Sequence, residues 1–236
     1  MSTAAQIVSN PARGTACQSV RQAGFVAGIG YLLLSVLAGF GNYGVVQRLV
    51  TPGNAATTVK TIMDSKGLFL IGIGSLAAVV VLDVIVALAL LRFFNPVSKR
   101  FSLLAAGLRI VYAAVFAVAI AHLAGVLTVL GNANQAQQGI DAFNTIWNTG
   151  LALFGLHLLV IGYLAYKSGY VPRWLGVVVA IAGFGYLFDG VATALSLGLT
   201  TKVASITFIG EVVFLVWLLV KGRRVTLSGE SASTRR

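Results

Sequence analysis

A single cysteine, Cys17, in a chain of 236 residues excludes an internal disulfide and a cysteine-built metal centre. Histidine is nearly as scarce. Only His122 and His157 occur, they are not clustered, and no H-E-x-x-H stretch appears, so no local motif encodes a zinc site. Charge is thin as well. Asp, Glu, Lys and Arg make up 10% of the chain, against about 25% in soluble domains, which places it outside that class. Six acidic residues stand against seventeen basic ones, a net charge of +11. Such a surplus fits a nucleic-acid binder when the basic residues form one patch. Here they are spread between apolar runs, so no nucleic-acid partner is expected.

What the chain does contain is apolar sequence. Hydrophobic residues make up 58% of it, concentrated in six runs at 24–43, 68–94, 102–130, 146–166, 174–197 and 204–220. At a rise of about 1.5 Å per residue, each run can cross a hydrocarbon core about 30 Å thick. Lipid offers no partner to an open backbone polar group, so the runs must be helices. The expected fold is all-α: a polytopic membrane bundle of six transmembrane helices, with a tail at 1–22, a helical domain at 23–222 and a basic tail at 223–236. Basic residues precede the first run, as in a signal peptide. The run is long for an h-region and lacks an A-x-A cleavage site, so it is expected to be retained.

Lysine and arginine set the expected orientation. Arg13, Arg21, Arg92, Lys99, Arg100, Lys167, Arg173, Lys221, Arg223, Arg224, Arg235 and Arg236 fall on the side of the termini. Arg48, Lys60, Lys66 and Lys202 fall on the other. Twelve against four predicts both termini in the cytoplasm, and the basic face would suit anionic lipid headgroups. Trp147, Trp174 and Trp217 lie near predicted helix ends, where aromatic belts form. The two connections on the opposite side differ. Residues 45–66 hold a Pro52-Gly53 turn and then Val59, Ile62 and Met63 at helical spacing, a pattern for a short interfacial helix. Residues 131–145 are polar and amide-rich and read as a connector or a cap over the bundle.

Six ionisable residues interrupt the apolar runs: Asp83, Arg109, His122, His157, Asp189 and Glu211. A charge at mid-bilayer costs about 2.5–3.5 kcal/mol on insertion scales, so these groups must meet one another, meet water, or be neutral. The second and third runs are joined by a short turn and are expected to be antiparallel neighbours, which brings Asp83 and Arg109 into range of an ion pair. Asp83, Arg109, His157, Asp189 and Glu211 are expected to form a shared polar centre. His122 lies nearer the outer side. One arginine against three acids leaves a deficit, so at least one of Asp189 and Glu211 is expected to hold a proton, with His157 as its exchange partner. His157, Asp189 and Glu211 are also the weak candidates for a metal. No cofactor is expected. Glycine is abundant, with 27 residues; Gly24-Phe-Val-Ala-Gly28 is a GxxxG pattern that allows close helix approach. Gly28-Ile-Gly30 lies inside an apolar run without a preceding strand and is no nucleotide fingerprint.

The stretch HLLVIGYLAYKSGYVPRWLG at 157–176, with GFGYLFD at 183–189 and WLLVKG at 217–222, resembles the membrane family known as domain of unknown function 4386 (DUF4386). Val50-Thr-Pro-Gly53, Asp83, Leu108-Arg109 and Gly210-Glu211 agree with it. The resemblance implies a multi-pass bacterial membrane protein with no assigned activity; with the helical spans and the charge bias, the cytoplasmic (inner) membrane is expected. The residues themselves suggest three functions. The first is a proton-linked carrier of a small molecule or ion. The second is a membrane-embedded enzyme acting on lipid through His157 and Glu211. The third is an accessory or sensory protein whose charges only hold helices together.

Overall fold

The structure is a computed structural model that describes residues 11–198 and 203–225. Residues 1–10 of the expected N-terminal tail, Lys202, and most of the basic C-terminal tail with Arg235 and Arg236 lie outside the described residues. No strand occurs among those described. The helices are α1 (Pro11–Gly39), α2 (Ala55–Asp64), α3 (Lys66–Phe94), α4 (Lys99–Gly125), α5 (Ala133–Lys167), α6 (Arg173–Ala194) and α7 (Ile209–Lys221), the last preceded by a helical turn at Ala204–Thr207. Six stretches are long and apolar enough to cross a membrane: Cys17–Leu49, Lys66–Phe94, Lys99–Thr128, Ala133–Lys167, Arg173–Ala194 and Ala204–Arg224. The chain is therefore a multi-pass membrane protein, helical throughout its membrane-spanning stretches.

The spans form a closed ring. Each of α3, α4, α5, α6 and α7 packs on the span before it, and α7 closes the ring on α1. The first and last helices meet at the GxxxG pattern. A Cβ at Gly28 would lie 3.0 Å from the backbone nitrogen of Leu219, and one at Gly24 would meet the Phe93 ring. The two ends of the chain are tied at the same face, where Arg21 Nε donates to the Val225 carbonyl at 2.7 Å and Cys17 Sγ donates to the same oxygen. This contact explains one departure from the sequence reading. Residues 11–22 are not a loose tail but the start of α1, because Cys17 and Val20 are buried in the contact.

One further departure lies at the opposite face, beside the short helix expected within residues 45–66. The polar segment 131–145 continues as the first turns of α5, capped by Asn132, whose side chain accepts from Gln135 N at 3.2 Å. Ala136, Ile140 and Phe143 bury one face of those turns. Helix α2 packs on α5. It is capped by Asn54, which accepts from Thr57 N at 2.9 Å, and buries Val59 and Ile62, whereas Met63 stays exposed. The Pro52-Gly53 turn places Gly53 at φ +74, and Gly169 takes φ +74 just after α5, the left-handed conformation that glycine adopts without a steric cost.

Candidate functional site

Arg109 is the organising residue. It is fully buried on α4, and so are all the groups it touches. Its Nε donates to Asp83 Oδ1 at 2.9 Å, and its Nη2 lies 2.7 Å from the same oxygen, off-line for a second hydrogen bond. Its Nη1 donates to the Tyr31 hydroxyl at 2.6 Å and lies 3.3 Å from His157 Nε2. The guanidinium carbon sits 4.6 Å from the Tyr31 ring centre and 5.2 Å from that of Phe154. Four spans, α1, α3, α4 and α5, are thus joined through one cation.

This geometry fixes the state of His157. Its Nδ1 lies 2.8 Å from the Ala105 carbonyl, which can only accept, so Nδ1 carries the proton. Arginine can only donate, so Nε2 offers its lone pair. His157 is the neutral Nδ1–H tautomer with both nitrogens engaged, and it has no lone pair left for a proton relay or for a metal. The Asp83–Arg109 pair balances its own charge.

Glu211 and Asp189 stand apart from that network. Glu211 is partly buried at the start of α7 and accepts from the Tyr186 hydroxyl at 3.2 Å. No basic side chain among the described residues is within ion-pair distance of it. Asp189 on α6 accepts from two backbone amides, Val203 N at 3.0 Å and Ala204 N at 2.8 Å. It caps the turn at Ala204–Thr207 from a neighbouring helix. Removing an N-cap oxygen costs about 0.5–2 kcal/mol, so Asp189→Ala is expected to lower the unfolding midpoint in detergent by an amount in that range. Asp189→Asn, which keeps one acceptor, is expected to lose less. The five residues expected to share one centre therefore divide. Asp83, Arg109 and His157 touch. Glu211 and Asp189 each have other partners. The two acids Asp83 and Asp189 do different jobs, one paired with Arg109 and the other accepting from backbone amides. His122 is exposed. Among the described residues no three of His, Cys, Asp and Glu come close enough to hold a metal ion; His157, Asp189 and Glu211 do not converge on one point.

What the two outlying acids share with Asp83 is a cavity of about 1080 Å³ in the half of the ring away from the termini. Tyr43, Ser196 and Gly198 in its lining are exposed, so it opens at that face. One part of the wall is a continuous row of rings. Tyr186 stands edge-on to Phe154 with ring centres 5.2 Å apart, Phe154 is 5.2 Å from Tyr112, Tyr112 stacks on Phe116 at 6.1 Å, and Phe116 is 4.8 Å from Trp147. Trp147 Nε1 donates to the Tyr112 hydroxyl at 3.0 Å. Trp147 belongs to this wall and not to an interfacial belt. Residues Phe40–Val46 form a π-helical stretch that extends α1. It places Asn42 in the cavity lining, and the Asn42 side-chain oxygen is buried without a hydrogen-bond partner among the described residues. Wide π turns recur at functional sites.

Sequence reasoning missed Tyr31, Tyr186 and Asn42. All three were visible as polar groups inside or beside apolar runs. Only charge was weighed there, and an uncharged hydroxyl or amide in lipid also requires a partner.

Residues 26–222 match the family described as a domain of unknown function, DUF4386. The chain belongs to the DUF4386 family. A relative from Archaeoglobus fulgidus, described as an uncharacterized protein, is 38% identical over 166 residues, covering 70% of this chain and 88% of its own. Its archaeal source carries the comparison beyond the bacterial setting that the resemblance implies. No solved structure matches the chain. DUF4386 membership thus fixes the class of molecule, and the site's own geometry must carry the chemistry.

Proposed function

We propose that this DUF4386 protein is a proton-linked carrier of a small molecule or ion, with Glu211 as the group that exchanges proton for cargo. It would sit in a cytoplasmic membrane with both termini inside, on the lysine and arginine bias, so that the cavity opens to the outside. The basic face at Lys221 and Arg224 would then meet anionic headgroups. The observation that supports carriage is the cavity of about 1080 Å³ that reaches an acid without a cationic partner at the start of α7. Asp83 is matched by Arg109, His157 is neutral, and Asp189 is held by backbone amides. Glu211 is left as the group whose charge must be met by a proton or a ligand. The titratable or charged groups around it come from every neighbouring span: Tyr31, Asp83, Arg109, Tyr112, Tyr186 and Asp189. Lipid-acting catalysis has less support, because the histidine it needs has both ring nitrogens occupied.

Proteoliposomes with an imposed pH gradient test the proposal against a panel of small charged and neutral solutes. Uptake driven by the gradient in the wild type and reduced at least about tenfold in Glu211→Gln is expected, as for removal of an essential proton site. Uptake that ignores the gradient or survives in the variant rejects proton linkage. No uptake of any solute rejects carriage.

A further inference from the structure

We propose that the cavity binds a small organic cation, a protonated amine or quaternary ammonium, with its charge at Glu211 and its apolar body along the aromatic wall. This rests on the reading of the cavity as a ligand site and names the class of ligand. Four observations carry it. The first is sign. Every charged residue lining the cavity among those described is acidic: Asp83, Asp189 and Glu211. Arg109, whose guanidinium is bonded to Asp83, is fully buried, and no Lys or Arg among the described residues belongs to the lining. An anion would meet uncompensated acid, whereas a cation would relieve it.

The second is the wall. A row of rings runs from Tyr186, bonded to Glu211, through Phe154, Tyr112 and Phe116 to Trp147. Aromatic faces attract cations through their quadrupole, more strongly where water is excluded. Phe154 and Tyr31 already do this for the Arg109 guanidinium. The third is Asn42. Its side-chain oxygen is an acceptor buried without a partner, on a residue that lines the cavity. A buried acceptor left unmet is costly; a protonated amine would meet it with an N–H, and a quaternary ammonium only through its weaker C–H donors. The fourth is size. A bare metal ion needs a close cage of oxygen ligands, and no such convergence of His, Cys, Asp and Glu exists among the described residues. A volume of about 1080 Å³ is instead on the scale of an organic-ligand pocket, roughly 300–1,000 Å³.

Three water-soluble probes that share a phenyl ring and differ in charge decide the matter: benzyltrimethylammonium, benzyl alcohol and benzenesulfonate. Binding to the full-length protein in detergent is followed by quenching of tryptophan fluorescence and by calorimetry. The cation is expected to bind at least about tenfold more tightly than the other two. Glu211→Gln is expected to erase at least about tenfold of that preference, and Trp147→Leu to weaken the cation a few-fold. If Glu211→Gln does not fold, the ranking of the three probes on the wild type decides alone. Equal binding of all three, tighter binding of the anion, full cation affinity in a folded Glu211→Gln, or no binding at all overturns the inference. Cation binding without flux in proteoliposomes would leave the inference standing and remove the carrier function. Flux of neutral or anionic solutes without cation binding would do the reverse.

Discussion

Arg109→Ala is expected to destabilise the folded bundle by about 3–5 kcal/mol, the cost of leaving a buried charge without its partner. Three groups would lose their donor at once. Asp83 would keep a carboxylate with 2% of its side chain exposed. The Tyr31 hydroxyl would lose its 2.6 Å bond and His157 Nε2 its 3.3 Å contact. Asp83→Ala should cost a similar amount for the opposite reason, an unpaired guanidinium among Tyr31, Phe154 and His157. The double variant Asp83→Leu with Arg109→Met removes both charges. It is expected to be more stable than either single variant, because isosteric apolar replacement of an ion pair is often close to neutral. Recovery should stop short of wild type, since Tyr31 and His157 stay unmet. Unfolding midpoints in detergent or mixed micelles give the three values. Single variants as stable as the wild type, or a double variant worse than both, would refute the pairing as the organising contact.

The same comparison separates holding helices from handling a ligand. Arg109 and Asp83 are expected to govern folding yield, whereas Glu211→Gln removes no ion pair among the described residues and should leave stability almost unchanged while altering flux and cation preference. An accessory protein with purely structural charges would behave otherwise: neutralising Glu211 would change yield and nothing else. The split between the two acids follows from their partners. Asp83 has a full counter-charge, and Glu211 has one phenol.

The parts of this arrangement that lipid dictates were legible in the sequence. A run of twenty apolar residues has only one way to satisfy its backbone in hydrocarbon, so the six spans and the Asp83–Arg109 encounter across a short turn followed from counting. Residues 131–145 resemble a connector by polarity, yet their apolar spacing is helical. Ala136, Ile140 and Phe143 fall at i, i+4 and i+7 and mark the buried face of a helix. The role of Asp189 was out of reach. By position it resembles Asp83, and only the tertiary fold brings Val203 and Ala204 to its carboxylate. Trp147 was placed in a belt because it lies near the end of an apolar run. That run is not where its helix ends, since α5 begins at Ala133. The cavity, lined by residues of all six spans, has no local signature at all.

Gly162→Leu is expected to be among the most damaging apolar substitutions in the bundle. Gly155 and Gly162 on α5 and Gly176, Gly183 and Gly190 on α6 recur at seven-residue spacing, the repeat that keeps one seam of a helix on its partner. Along that seam the two backbones touch. A Cβ at Gly162 would lie 2.7 Å from the Gly176 carbonyl oxygen and 2.9 Å from the backbone nitrogen of Ala180, and one at Gly176 would lie 2.6 Å from Tyr166 N. Backbone cannot swing aside as a side chain can, so the helices must separate. Overpacking a tight core costs typically about 1–3 kcal/mol and occasionally more; four added carbons at a backbone contact place Gly162→Leu at or above the top of that range. Gly107→Leu is the control, because nothing lies within 4 Å of a Cβ there, and its midpoint is expected to stay within about 0.5 kcal/mol of wild type, as for surface positions. The seam also bears on the cavity. Trp147 and Phe154 ride on α5, and Tyr186, which holds Glu211, rides on α6. Forcing the two helices apart opens the 5.2 Å contact between Phe154 and Tyr186. Any variant that survives folding should therefore lose the preference for a cationic probe as well, and a Gly162→Leu protein with normal stability and normal binding would show that the seam does not set the spacing of the wall.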